Sequence, residues 1–132
     1  MKLNKTTKKI DDNVCKALTL ACEQAKENFD GFIWLTHRAN YTQFPASLMV
    51  TCVFEIDAEV TALKEKNLDE SFIKLIQKQL LKVGVVLKNA RQNVRFDSEE
   101  SCLREHRGLW EERLKLRTNK QKPISKNCRF PH

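Results

Sequence analysis

Apolar residues recur every three or four positions at Ile10, Val14, Leu18, Ala21, Ala25 and Phe29. That spacing predicts a helix over roughly 8–29 with one buried stripe. Asp11 and Asp12 are expected in its first turns, where the helix dipole favours acids. Asp30-Gly31 stops it, with Gly suited to a left-handed cap. The pattern then changes period. Residues 32–37 are apolar on both sides, with Phe32 and Trp34 expected on one face and Ile33 and Leu35 on the other. Continuous apolar character predicts a strand covered on both faces. Leu48, Val50, Cys52, Phe54 and Ile56 alternate with Met49, Thr51, Val53 and Glu55, which predicts a second strand with the even residues inward. Between the strands lies a connection holding Asn40, Tyr41, Phe44 and Pro45.

Asp57 is placed to cap a short helix over about 58–66, with Val60 and Leu63 inward. Asn67 or Asp69 caps the next, about 69–83, which buries Phe72, Leu75, Ile76, Leu80 and Val83 and ends at Gly84. Val85-Val86-Leu87 reads as a short strand or an extended buried connection. Asn93–Phe96 predicts a further strand with Val94 and Phe96 inward. Asp97 or Ser98 caps the last helix, with Glu99 and Glu100 in its first turn. Leu103, Trp110 and Leu114 form its stripe with Leu109 beside them, and Gly108 marks a bend or break.

The expected fold is α+β, in the order α-β-β-α-α-(β)-β-α. It has a three- to four-stranded antiparallel or mixed sheet and helices mainly on one face. Strand–helix alternation of the doubly wound kind is absent. The length of 132 residues suits one domain, expected over 8–116, between flexible basic ends at 1–7 and 117–132. The strand that is apolar on both sides requires a second cover, either the last helix or another copy of the chain, with the second copy preferred.

Charge divides the chain unevenly. Residues 1–9 carry four Lys and residues 115–132 six Lys or Arg, with no acid in either; of 24 bases and 17 acids this leaves 14 against 17 for residues 10–114, a net of −3. Nucleic-acid binding, if present, therefore belongs to the ends, through Lys2, Lys5, Lys8, Lys9, Lys120, Lys122, Lys126 and Arg129. No apolar run is long enough for a membrane helix, and the first residues lack the apolar core of a secretory signal, so the expected location is the cytoplasm. The five cysteines, at 15, 22, 52, 102 and 128, are odd in number and lack CxxC spacing. Cys15, Cys22 and Cys52 fall in apolar patterns and read as small buried hydrophobes rather than a disulfide framework.

Three constellations are candidates for chemistry. His37, Arg38, Asn40 and Tyr41 cluster at the end of the first strand, where polar residues form either a site or a hydrogen-bonded loop. Asp97, Glu99 and Glu100 supply carboxylates for acid–base work, although a helix cap accounts for all three. Cys102 and His106 have an i, i+4 spacing that can hold two metal ligands; two fall short of a set, so no metal or cofactor is expected. Phosphate loops, nucleophile elbows and HExxH patterns are missing.

Gly31-Phe-x-Trp-Leu-Thr-His37, Asn40-Tyr41, Phe44-Pro45-x-Ser47-Leu48, Cys52-Val-Phe54, Phe96-Asp-Ser-Glu-Glu-x-Cys102, Glu105-His106, Gly108 and Trp110 together resemble a family of small uncharacterised bacterial proteins. The resemblance spans about residues 8–114. Members sometimes carry the label of Fis-family transcriptional regulators. Fis proteins are all-helical dimers ending in a helix-turn-helix, and the strands predicted here depart from that pattern. The resemblance implies a bacterial protein and supplies no catalytic or ligand residue. The leading expectation is a non-enzymatic binding or interaction module whose partner is a protein or a second copy of the chain. The alternatives are a nucleic-acid-associated regulator acting through its basic ends, and a hydrolase or metal protein using His37 and the Asp97–His106 segment.

Overall fold

The structure, a computed structural model, describes residues 5–117 and 128–130. Among these residues five α-helices and four strands follow in the order α1 (Lys5–Asn28), β1 (Phe32–Arg38), β2 (Met49–Phe54), α2 (Asp57–Glu65), α3 (Leu68–Lys82), β3 (Val94–Ser98), α4 (Glu99–His106), α5 (Trp110–Arg117) and β4 (Cys128–Phe130). The sheet is mixed, in the order β3-β2-β1-β4. β1 is antiparallel to both β2 and β4, whereas β2 and β3 run parallel. A parallel neighbour requires a crossover, and α2 and α3 provide it.

The main core lies between one sheet face and α1, α2 and α3. Val14, Leu18, Ala21 and Ala25 of α1 meet Leu48, Val50, Cys52 and Phe54 from β2 and its lead-in, with Leu63, Phe72, Ile76 and Leu80 closing the layer. The even residues of β2 point inward as their period requires, except Ile56, which is exposed ahead of α2. Aromatic rings fill the centre: Phe72 stacks on Phe29 at 4.6 Å and takes Phe32 and Phe96 edge-on. Val85 and Leu87 are buried in an extended connection with no strand pairing.

β1 departs from simple alternation. Phe32 pairs with Phe54, but Trp34 pairs with Val53, so two residues of β1 oppose one of β2. This bulge reverses the expected facing. Phe32 joins Leu35 in the main core, while Ile33 and Trp34 both pack on the opposite face. There a second core forms from Trp34, Val53, Cys102, Trp110 and Leu114. The second face is thus covered by α4 and α5 of the same chain, so no second copy is needed there.

Gly108 ends α4 rather than bending it. Arg107 and Gly108 both have positive φ, at 56° and 79°, which turns the chain so that α5 starts anew at Trp110. The break explains why Leu103 and Leu109 do not join the stripe: they are 67% and 55% exposed, whereas Trp110 and Leu114 are buried. Two terminal expectations also change. α1 begins at Lys5, so Asp11 lies beyond its first turn. The C-terminal tail lies largely outside the described residues, but Cys128–Phe130 pairs with the outer edge of β1, where unmatched backbone groups accept a strand.

Truncation should separate the two classes of leucine. Leu114→Ala is expected to lose about 2–5 kcal/mol of stability, and Leu109→Ala no more than about 0.5 kcal/mol. Urea unfolding measures both; equal losses would contradict this placement of α5.

Candidate functional site

Strand alternation splits the polar cluster predicted at the end of β1. His37 faces α1, where its Nε2 meets Asp11 Oδ1 at 3.0 Å. Arg38 faces the other side and donates to Glu111 on α5 at 3.2 Å. Asn40 turns back on its own loop, accepting from the Thr42 amide at 3.0 Å and capping the short turn at Tyr41–Gln43. Tyr41 folds over α1 and donates its hydroxyl to Asp11 Oδ1. His37 and Tyr41 therefore share one carboxylate, and Arg38 and Asn40 lie elsewhere.

On the α4–α5 side the acidic residues hold layers together. Trp34 donates its indole N–H to Glu99 Oε2 at 2.8 Å, and Trp110 donates to Oε1 at 2.7 Å. The two rings meet edge to face, 4.9 Å apart and 84° between planes. Asp97 was a candidate cap, but Ser98 takes that role by accepting from Ser101 N. Asp97 instead receives a two-pronged contact from buried Arg113, at 2.6 Å from Nε and 2.9 Å from Nη2. Arg113 Nη1 also reaches Glu105 at 2.8 Å and lies 3.1 Å from His106 Nδ1. The bond to Asp97, then that to Glu105, raises the Arg113 guanidinium further above its usual range, and Arg113 in turn holds the Glu105 carboxyl down. Cys102 is fully buried under the tryptophans, while His106 is half-buried beside Arg113.

Asp57 and Glu100 tie α2 to α4. Ile56 occupies the cap position of α2, and Asp57 accepts instead from the Ser98 and Ser101 hydroxyls and from Arg104 at 3.0 Å. Glu100 accepts from the Asp57 amide at 2.9 Å. The Ser101 and Ser98 hydroxyls, with Arg104, lower the Asp57 pKa to about 2.

Sequence reasoning missed Asp11 and Cys15 as site residues. Asp11 is 5% exposed and sits on the α1 stripe, three residues before Val14 and seven before Leu18. An acid at a core-facing position was the available signal. Ligand-capable atoms of Asp11, Cys15 and His37 lie within 4.8 Å of one another. The other inward cysteines fit their apolar reading: burial pushes the Cys22 thiol up to about 11 and raises Cys52 as well.

A groove opens where the β1–β2 loop meets the connection after α3. Gln43, Phe44, Pro45 and Ala46 form one wall, and Val86, Leu87, Lys88, Asn89, Gln92 and Asn93 the other, around about 440 Å³. A neighbouring space of about 330 Å³ shares Phe44, Pro45 and Val86 and extends to Ile10 and Asn13 of α1. Both walls are fixed. The buried Asn93 amide donates to Leu48 O at 2.7 Å and Ala46 O at 3.2 Å. Ser47 closes the loop by donating to Asn40 O at 2.7 Å and accepting from Asn40 N at 2.9 Å. Gln77 donates to Leu87 O at 3.2 Å. The peptide bond between Phe44 and Pro45 is cis.

Of the basic residues assigned to the ends, Lys5, Lys8 and Lys9 are exposed on the first turns of α1, and Arg129 lies on β4. Lys2, Lys120, Lys122 and Lys126 fall outside the described residues. No described helix is long and apolar enough to cross a membrane. No family model matches the chain, and no curated protein or solved structure is significantly similar to it.

The depressed Asp57 pKa makes a pH prediction. Its folded value of about 2 lies below the ordinary value of about 3.9. Its stabilising contribution is therefore complete above about pH 4 and is lost as pH falls through about 2. Asp57→Asn is expected to be less stable than the parent at neutral pH, with the gap closing over that acid range. Urea midpoints measured across the range test this; a gap independent of pH would contradict it.

Proposed function

We propose that the chain is a non-enzymatic binding module that accepts an extended segment of a partner protein. The observation that carries this reading is the groove between the 43–46 loop and residues 86–93. Its surface combines the apolar groups of Phe44, Pro45, Val86 and Leu87 with the amide side chains of Gln43, Asn89 and Gln92. Apolar surface with a few convergent polar groups suits a ligand that is partly apolar. Side-chain amides both donate and accept, so they match the backbone of an extended peptide. Among the described residues Lys88 is the one charged group in this lining, which is poor provision for a polyphosphate backbone. Val86 is 58% exposed, an apolar contact available to a partner.

The fate of the predicted catalytic groups supports the same reading. Glu99 is engaged by two indoles, Asp97 by Arg113, and His106 lies against the same guanidinium. Their geometry is accounted for by holding α4 and α5 on the sheet. The hydrolase alternative at the Asp97–His106 segment gains nothing from it.

A displayed library of random peptides, selected on the full-length protein, tests the proposal. Selected peptides should shift backbone amide resonances at 43–46 and 86–93. Val86→Glu should weaken them about tenfold or more, as loss of a central apolar contact does, without altering the fold. Failure to enrich any peptide, or binding that maps elsewhere and survives Val86→Glu, would overturn it.

A further inference from the structure

We propose that the space beside the groove is an anchor pocket for a tyrosine or tryptophan side chain of the bound segment. The inference rests on the peptide-binding reading of the groove and adds the residue type that the partner must carry. The space, of about 330 Å³, lies between α1, the Phe44-Pro45 corner and the turn after α3. Phe44, Pro45 and Val86 line both it and the groove. A chain lying in the groove therefore passes within one side chain's reach of it.

An anchor gains most from walls that exist before it arrives. Ile10, Phe44 and Val83 are packed against the main core from outside. Phe44 is also held by Tyr41, with ring centroids 5.1 Å apart. The opposite wall is tied to the end of α3, where Gly84 N donates to Leu81 O at 3.0 Å and Val85 N to Leu80 O at 2.9 Å. Gly84 leaves the opening clear, because nothing lies within 4 Å of where its side chain would start.

The chemistry of the walls selects the occupant. Among the described residues that line the space, Asn13 brings the one polar side chain, and none is charged. A charged anchor would lose its water and meet no counter-charge. Size favours a ring: an apolar cavity of about 150 Å³ already holds benzene, so this space takes a ring and a polar tip. The Phe44 ring supplies an aromatic contact for it. Asn13 lies three residues from Ile10, on the same side of α1. It is half-buried, and its side-chain amide has no hydrogen-bond partner among the described residues. That amide both donates and accepts, so it pairs with a phenol hydroxyl or an indole N–H. A leucine or phenylalanine would cover Asn13 and leave it unmatched, a penalty that favours the polar-tipped rings.

The probes are 4-methylphenol, 3-methylindole and toluene, the side chains of tyrosine, tryptophan and phenylalanine, titrated into the full-length protein and followed by NMR. The first two should shift the Asn13 side-chain amide and the Ile10 and Val83 methyl resonances. They should bind about threefold or more tighter than toluene, the worth of one hydrogen bond. In Asn13→Ala, which suits a helix and keeps the fold, all three should bind alike. Peptides selected on the full-length protein should share a tyrosine or tryptophan at one position, and alanine there should weaken them about tenfold or more. Probes that leave these resonances unmoved, or a preference over toluene that survives Asn13→Ala, would overturn the pocket. Peptides that map to the groove without a shared aromatic position would overturn the anchor and leave the groove reading standing. Failure to enrich any peptide would overturn both.

Discussion

β1 must be covered on both faces, and one carboxylate secures the second cover. The strand lies between β2 and β4 and carries large apolar side chains in both directions. α1 and α3 close one face through a broad aliphatic and aromatic layer. The other face relies on two short helices of eight residues each, α4 and α5, too short to be stable by themselves. Glu99 accepts from Trp34 on the sheet and Trp110 on α5, so its side chain joins strand, α4 and α5 at one point. Arg113 repeats the arrangement a turn later by clasping Asp97 on β3. Buried indole N–H groups and a buried aspartate each need a partner, and here each partner spans two layers.

This requirement explains where the charged residues of the chain are used. Glu99, Asp97, Arg113, Glu105 and Arg38 would suit a catalytic cleft by type, but Glu99 takes the two indoles, Arg113 joins Asp97 to Glu105, and Arg38 meets Glu111. The groove lies at the other end of the β1–β2 loop, where loop geometry is fixed by uncharged groups: Asn40, Ser47, Asn93 and Gln77. Charges hold the layers, amides shape the groove, and the Asp11–His37–Tyr41 group stands between them, with Tyr41 tilted against Phe44 at 5.1 Å.

Periodicity made most of the elements legible. The α1 stripe, the even face of β2 and the break at Gly108 all follow from spacing and from a glycine with positive φ. What it could not carry is the bulge in β1, because an inserted residue leaves no mark in a run where every position is apolar. The facing of Phe32 and Trp34 was therefore misread. The leucines around Gly108 were misread for a related reason: a stripe was continued through a point where the helix stops. Local spacing suggests Asp57 as a cap and Asp97 as an alternative to Ser98; Ser98 is the cap, and Asp57 and Asp97 are engaged by side chains distant in sequence. The site around Asp11 needed α1 docked on β1 before it could be seen, and only an acid on an apolar stripe hinted at it.

The second core depends on the Glu99 carboxylate that both indoles share. The chain has two tryptophans, so its two indole N–H resonances can be followed individually. Their exchange with deuterated solvent, in the parent and in Glu99→Gln, is the most direct test. Both indoles should be strongly protected in the parent, and both should move and lose protection together in the variant. Rapid exchange of either in the parent, or a response of one ring without the other, would contradict the account.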